Sequence, residues 1–381
     1  MIYDTINKFF KIVLYFIIVV IIYLIIKKNY HDNPVRIVYR QQVLFEYRIS
    51  AILIILIALL LGYYSIICGQ YPPISDRGNY AFRFSTHNQN YFLKNSLGMW
   101  ALVNALYLFS DDIHLLFFSI PFFSFLFIWF GFKKYPENDT TAFLFCGLSL
   151  YYVYSFYLFK QAPATAISTI SIAYALKKEK VKSIVFAIIA ILFHESAIIL
   201  APIIVLVIFG KNKLLRYSAY CFLVALMLGF EQITSFLISR FVGSQSSLRY
   251  QLRIYLSDTD AIIGESNWLT VLKGFPYYFI TVYALIYKKR FSSLISCYDD
   301  YLTICLISSA SILLSGYMYW MWRFAVYGYF PMFIFSALIS RKMRKGERLF
   351  FSLILCGSFV IITIRKVIFN SLLNGIKKVV Y

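Results

Sequence analysis

Charged residues are scarce in this chain: Asp, Glu, Lys and Arg make up 14% of its 381 residues. Soluble domains carry roughly 25%. Apolar residues reach 61% and aromatic residues 20%, so the composition excludes an ordinary soluble domain and predicts an integral membrane protein. Acidic residues are fewest, at 17 against 37 Lys and Arg. Because the basic residues cluster between apolar segments, we interpret them as topology signals and expect no nucleic-acid partner.

The sequence also lacks the motifs of nucleotide and metal chemistry. It has no Walker loop, GxGxxG or HExxH, and its four His are far apart. Six Cys occur without a CxxC pair, which indicates small apolar core residues and not a disulfide framework or metal site. These are Cys68, Cys146, Cys221, Cys297, Cys305 and Cys356. We therefore expect no metal and no cofactor, which disfavours a nucleotide-driven pump and a metal-dependent nucleotide-sugar glycosyltransferase.

Long apolar runs dominate what is present. A spanning helix needs about 20 apolar residues. The candidate segments are 12–26, 49–67, 113–132, 142–159, 162–176, 214–230, 269–287, 301–317, 319–340 and 349–364. We predict an all-α, polytopic integral membrane protein that forms one domain over residues 1–381, with about 10–12 transmembrane or re-entrant helices. The first segment lacks a following cleavage site and is predicted to be a retained helix, not a signal peptide.

Basic clusters orient these segments, because cytoplasmic loops are enriched in Lys and Arg. All the clusters can be cytoplasmic only if residues 97–109 do not span the membrane and residues 183–209 go out and return. Two short half-helices meeting at His194 would satisfy the second condition, since broken helices are tolerated at membrane depth where they line a polar cavity. Two long connections, at about 68–112 and 231–268, then lie outside.

The clearest polar interruption is Phe193-His194-Glu195-Ser196, within an otherwise apolar stretch. An ionisable group at membrane depth is costly and is by default a functional-site candidate. His194 could act as a general base or as a donor to an anionic leaving group. The alternative is a structural His bonded to another helix. Glu195 would face a different direction, and we expect it to be the exposed member of the pair.

The first outer connection carries an acid, a phenol and a guanidinium at regular spacing. If the chain after Pro73 is helical, Asp76, Tyr80 and Arg83 share one face at i, i+4 and i+7. This combination suits a site for a sugar and a phosphate. The alternative is a solvated loop with a local Asp–Arg pair.

The second outer connection holds three arginines on the side of the membrane where basic residues are normally depleted. Arg249 and Arg253 are four residues apart, so on a helix their guanidinium groups would point the same way and suit diphosphate oxygens. Arg240 lies in the same connection. General binding of lipid headgroups is the alternative.

Two further positions lie at the ends of apolar segments. Lys160-Gln161 precede Pro163, which fits the first turn of a helix, so Lys160 could hold a phosphate there or extend to the membrane surface. Arg323 lies just inside a later apolar segment with Tyr327 one turn deeper. Anchoring in the interfacial aromatic belt is the alternative for this pair.

Together the motifs at these positions resemble those of the EpsG-like family of bacterial polysaccharide polymerases. This group includes Wzy-type O-antigen and capsule polymerases. The likeness spans roughly residues 50–340 and rests on short motifs. Those motifs are Asp76 with Tyr80, Lys160-Gln161-Ala162-Pro163-Ala164, Phe193-His194-Glu195-Ser196, and Arg323 with Tyr327 and Pro331.

The resemblance implies that repeats linked to undecaprenyl diphosphate are polymerised at the outer face of the bacterial cytoplasmic (inner) membrane. The products would be O-antigen of lipopolysaccharide, capsule or exopolysaccharide. Because the diphosphate is an activated leaving group, no nucleotide is needed, but its developing charge requires fixed cations. We assign Arg249, Arg253 and Arg323 to the diphosphate, and His194 or Asp76 to the acceptor hydroxyl.

Expected substrate-binding residues complete the assignment. They are Tyr80, Arg83, Lys160, Gln161, Ser196, Arg240 and Tyr327. The expected partners are the lipid-linked oligosaccharide, the bilayer and a chain-length regulator protein. Two other classes stay open: a lipid-linked oligosaccharide flippase or transporter, which should show repeated halves, and an O-antigen ligase or membrane acyltransferase, for which a deep His would also serve.

Overall fold

The computed structural model describes residues 2–31, 40–68, 76–149, 158–210, 218, 271–316 and 321–379. At several helix ends, Asp76 among them, the backbone alone is described. Every regular element in these ranges is a helix, which confirms the all-α class. Three predicted site residues, Arg240, Arg249 and Arg253, lie outside the described residues. The whole connection 231–268 also lies outside them, and so does the predicted span 214–230 apart from residue 218.

Most described helices overlap the predicted apolar segments, but the helix within the predicted segment 142–159 ends at Leu148. In chain order they are α1 (Ile2–His31), α2 (Arg40–Cys68), α3 (Asp76–Ser85), α4 (Gln89–Asn95), α5 (Leu97–Tyr107), α6 (Ile113–Phe132), α7 (Thr141–Leu148), α8 (Gln161–Leu176), α9 (Lys180–Phe193), α10 (Leu200–Phe209), α11 (Phe275–Ile286), α12 (Lys288–Phe291), α13 (Tyr298–Leu314), α14 (Trp322–Lys342) and α15 (Lys345–Val379). Among the described residues, α6 and α14 are long and apolar enough to cross a membrane.

Two described segments have the helix lengths that the predicted topology requires, and the topology itself stays a prediction. The part of residues 97–109 that is helical, α5, has 11 residues. At about 1.5 Å per residue it reaches about 16 Å, roughly half of a bilayer's hydrocarbon core. The stretch 183–209 is broken at His194, where α9 ends and a 3-10 helix, Glu195–Ile199, leads into α10. The described part of the connection 68–112 is itself mostly helical, as α3, α4 and α5.

The chain divides into two compact units: residues 1–198 with 333–381, and residues 199–332. In the first unit, α6 packs against α2 and α8, α8 packs against α9, and α1 packs against α7 and α15. Every residue of α8 is buried. Its Ala, Ser and Thr residues let neighbouring backbones approach closely, as at Gly131 of α6, where an added Cβ would collide with Thr169. The expectation of a single membrane domain stays a prediction.

One end of the first unit is basic. Lys182 forms an ion pair with Glu179 at 2.5 Å in the turn between α8 and α9. This hydrogen bond is the main cause that lowers the pKa of Glu179, and the charges of Lys177 and Lys134 act in the same direction. Lys134 follows α6, so the basic clusters after α6 and after α8 lie at the same end. Their grouping agrees with the expectation that both clusters lie on the same side of the membrane.

The opposite ends of the same helices meet at a set of buried apolar side chains, which we call the aromatic cluster. It joins α3, α4, α5, the first part of α6 and the start of α8. Its members are Tyr80, Phe84, Phe92, Met99, Val103, Leu106, Leu116, Phe117, Ile120, Phe159 and Ala162. Asp112 caps the adjacent start of α6 by accepting the backbone N–H of His114 at 2.9 Å. That bond, with the His114 ring, lowers the pKa of the Asp112 carboxyl.

The second unit contains a smaller helical layer. α13 packs against α10 and α11. Thr281 and Ser309 join α11 to α13 through hydroxyl groups 2.8 Å apart. Tyr277 of α11 stacks on Tyr329 of α14 with ring centroids 4.0 Å apart. Hydroxyl bonds between helices are a common source of association where lipid removes the hydrophobic driving force.

Candidate functional site

Helix α3 carries the first group of predicted site residues. Its helical backbone places Asp76, Tyr80 and Arg83 at i, i+4 and i+7, as predicted. Tyr80 is buried, with its ring 6.1 Å from Phe92 and 5.6 Å from Phe159 between centroids. Arg83 is half-buried, and its guanidinium lies 4.9 Å from the Tyr91 ring centroid. Tyr80 therefore fixes α3 to the aromatic cluster, and a contact with sugar stays a prediction.

The start of α8 carries the second group. Gln161 is the first helical residue and is buried, while Lys160 precedes it and is half-buried. Pro163 lies in the first turn, as predicted, where its missing N–H removes no helical hydrogen bond. Phe159, immediately before Lys160, contacts Tyr80. This contact brings the Lys160-Gln161 pair next to α3.

His194 lies at the end of α9 and is buried, with 7% of its surface exposed. Its backbone leaves the helical region, with φ −155° and ψ 127°. Its own N–H still bonds Ala190 O, and its carbonyl accepts Ala197 N–H at 3.0 Å. Ser196 is also buried, whereas Glu195 is exposed, as predicted. His194 thus ends one helix and starts the 3-10 helix that follows.

The side chain of His194 explains why the chain turns here. Its Nδ1 accepts the backbone N–H of Ser196 at 3.1 Å, and the Ser196 hydroxyl lies 2.7 Å from the same nitrogen. A side chain that accepts an N–H two residues later competes with the helix and favours a turn. Because a backbone N–H can only donate, Nδ1 carries no proton, so the neutral ring has its N–H on Nε2. The imidazole therefore presents a donor, not an acceptor, from Nε2.

Arg323 and Tyr327 lie in the second unit. Arg323 is the second residue of α14 and is half-buried, while Tyr327 is one turn further and only 1% exposed. The structure has the order that the sequence predicts: a cation near the start of α14 and a phenol one turn further along the helix.

Three of the four motif regions meet within the first unit. The aromatic cluster contains Tyr80 from α3 and Ala162 from α8, and Phe193 from the end of α9 packs against it. Sites separated by more than one hundred residues in sequence are therefore held at one end of a single packed unit. The fourth region, at the start of α14, belongs to the other unit.

Most of the chain matches the model of a known protein family. The EpsG family model matches residues 53–378. The chain belongs to the EpsG family. No curated protein and no solved structure matches it significantly. The family is associated with polysaccharide polymerase activity in membranes, and the matched range covers every motif region described above.

One buried residue of this EpsG-family chain was not predicted. Arg77 is 1% exposed, and its Nη2 donates to Ser65 O at 2.6 Å. Its guanidinium lies 4.0 Å from the Phe117 ring centroid and 5.9 Å from that of Phe159. A signal was available: residues 77, 80 and 84 follow the i, i+3, i+7 spacing of a buried helix face.

Proposed function

We propose that this protein is a multi-pass polymerase of the bacterial inner membrane that joins undecaprenyl-diphosphate-linked repeats into O-antigen, capsule or exopolysaccharide. Membership of the EpsG family over residues 53–378 carries the proposal. The helix break at His194 supports it, because broken helices at membrane depth occur where they line a polar site. We further propose that the reaction requires no metal and that the site faces the outer leaflet.

The hydrogen bonds of the His194 ring argue against a role as general base. A general base must accept a proton, but Nδ1 already accepts the N–H of Ser196. The Nε2–H can instead donate to an anionic oxygen. We therefore assign His194 to the leaving diphosphate and Asp76 to the acceptor hydroxyl. A donor aimed at developing charge is worth the most when water is excluded, and His194 is buried.

In the proposed step, the bond between the anomeric carbon of the growing chain and its diphosphate oxygen breaks. The electron pair leaves with the diphosphate. A bond forms between the same carbon and a hydroxyl oxygen on the terminal sugar of a second lipid-linked repeat, and the hydroxyl proton passes to Asp76. Arg249, Arg253 and Arg323 neutralise the diphosphate, while His194 donates a hydrogen bond to the departing oxygen.

Deletion of the gene, followed by gel analysis of surface glycans, tests the proposal. Loss of the long-chain ladder with single repeats retained is the expected result. Complete loss of surface repeats would support a flippase instead. Polymer that accumulates on the lipid carrier without reaching its final acceptor would support a ligase. Chain extension by the purified protein in EDTA tests independence from metal.

A further inference from the structure

The N-terminus of α5 binds the C-terminus of α9 immediately before His194. The Ser96 hydroxyl donates its one proton in a bifurcated hydrogen bond to Phe193 O at 2.7 Å and Leu192 O at 3.0 Å. Both carbonyls belong to the last turn of α9, where carbonyls lack a partner within the helix. The same hydroxyl accepts Met99 N–H at 3.2 Å, so it also caps α5. One side chain therefore satisfies the ends of two helices.

Gly98 makes the contact between these helix ends close. A Cβ at this position would lie 2.7 Å from ring atoms of Phe193 and 3.0 Å from its backbone nitrogen. Only a residue without a side chain lets α5 approach α9 so closely. The arrangement is also electrostatically favourable, because the positive end of one helix dipole meets the negative end of another.

We propose that Ser96 and Gly98 are positioning residues for the His194 imidazole. The two carbonyls that Ser96 holds belong to the two residues before His194, so they set where the extended His194 backbone leaves α9. That exit direction places Nδ1 against the N–H of Ser196 and leaves the ring N–H on Nε2. The consequence for catalysis rests on the proposed polymerase function.

A second hydroxyl–carbonyl bond to α9 provides a matched control. Ser171 of α8 donates to Ser183 O at 2.7 Å, an interhelical hydroxyl–carbonyl bond at the basic end of α9. Ser96→Ala and Ser171→Ala therefore each remove one buried bond to α9, but only the first lies beside His194. Ser96→Thr keeps both the donor and the cap, and serves as the rescue variant.

Two measurements test the proposal on the full-length protein. The first is steady-state chain extension. We expect Ser96→Ala to lower kcat by about 10- to 100-fold with KM little changed, since small displacements of a reacting group can cost about 100-fold. The second is ¹⁵N-imidazole NMR in a His31→Gln, His87→Asn, His114→Gln background, in which His194 is the remaining His. We expect one tautomer, protonated at Nε2, and loss of that single state in Ser96→Ala.

Ser171→Ala should leave kcat and the His194 spectrum unchanged, and Ser96→Thr should restore both. An unchanged His194 spectrum in Ser96→Ala would overturn the proposal, as would equal losses of kcat in Ser96→Ala and Ser171→Ala. If the unsubstituted protein does not extend chains, the proposed function fails. The spectrum then decides the positioning role by itself: a changed tautomer supports it, and an unchanged one contradicts it.

Discussion

The guanidinium of Arg77 lies 4.0 Å from the centroid of the Phe117 ring, joining α3 to α6. A buried cation is tolerated only where polar and aromatic groups replace water. Ser65 O of α2 accepts a hydrogen bond from Arg77 Nη2, and the guanidinium is 5.9 Å from the ring centroid of Phe159, just before α8. Arg77 therefore connects the short helix that carries Asp76 and Tyr80 to the larger helices of its unit.

Substitution of Arg77 should weaken this connection in a graded way. Arg77→Lys keeps the charge but loses the planar stacking, so we expect a lower thermal midpoint for the purified protein. The loss should be about 0.5–2 kcal/mol, the range for cation–π contacts. Arg77→Ala also removes the bond to Ser65 O and should be more destabilising. An unchanged thermal midpoint in Arg77→Lys would show that the stacking on Phe117 contributes little.

His194 should not tolerate loss of its Nε2 donor. In His194→Asn, the side-chain oxygen can still accept Ser196 N–H, as in an Asx turn, so the helix break should persist. The donor at Nε2 is lost, and we expect a folded protein whose chain extension falls roughly 100- to 1000-fold. Near-normal extension by His194→Asn would assign this residue to scaffolding alone.

The contact between α6 and α8 should be sensitive to a single methyl group. In Gly131→Ala the added Cβ would meet the Thr169 side chain and lie 3.1 Å from Ile170 N, a rigid backbone atom. We expect a loss of about 1–3 kcal/mol, typical of overpacking. Gly357→Ala is the control, because a Cβ there meets nothing within 4 Å. It should be neutral or stabilise α15 by about 0.5–1 kcal/mol. Similar thermal midpoints for the two variants would contradict the close packing.

The proposed topology predicts opposite labelling of two exposed positions. In a cysteine-free background, Thr86→Cys, in the turn after α3, should react with an impermeant maleimide on intact cells or spheroplasts. Val181→Cys, 75% exposed at the basic start of α9, should react only after permeabilisation. The reverse pattern would invert the orientation and place His194 toward the cytoplasm.

The proposed cation site predicts large losses from single substitutions. Arg323→Ala, Arg249→Ala and Arg253→Ala should each lower chain extension roughly 100- to 1000-fold at normal protein levels. Lys should rescue only in part, because its point charge cannot form the two-pronged contact of Arg. Arg344→Ala, exposed after α14, is the control and should be silent. If all three Ala variants still made full-length polymer, these arginines would act only as topology signals and not in the reaction.

Some features of this protein are local and were predictable from the sequence. The apolar run 113–132 coincides with α6 residue for residue, and Pro163 lies in the first turn of α8. The break at His194 followed from the conflict between basic clusters at both ends of an apolar stretch. Apolar length, charge and side-chain competition with the helix all act over a few residues, so the sequence displays them directly.

Tertiary structure decided which faces are buried and which distant residues meet. Helices such as α6 and α8 are apolar nearly all round, so periodicity does not indicate the side that packs. Arg77 lies with Tyr80 on the buried face of α3, and that spacing is visible in the sequence. The groups that replace water around its guanidinium, Ser65 O and the Phe117 ring, come from other helices and are decided by the fold. The Ser96–Phe193 bond joins residues 97 positions apart. The bond also depends on Gly98 fitting against the Phe193 ring. These two residues meet only because α5 packs on α9 in the folded protein.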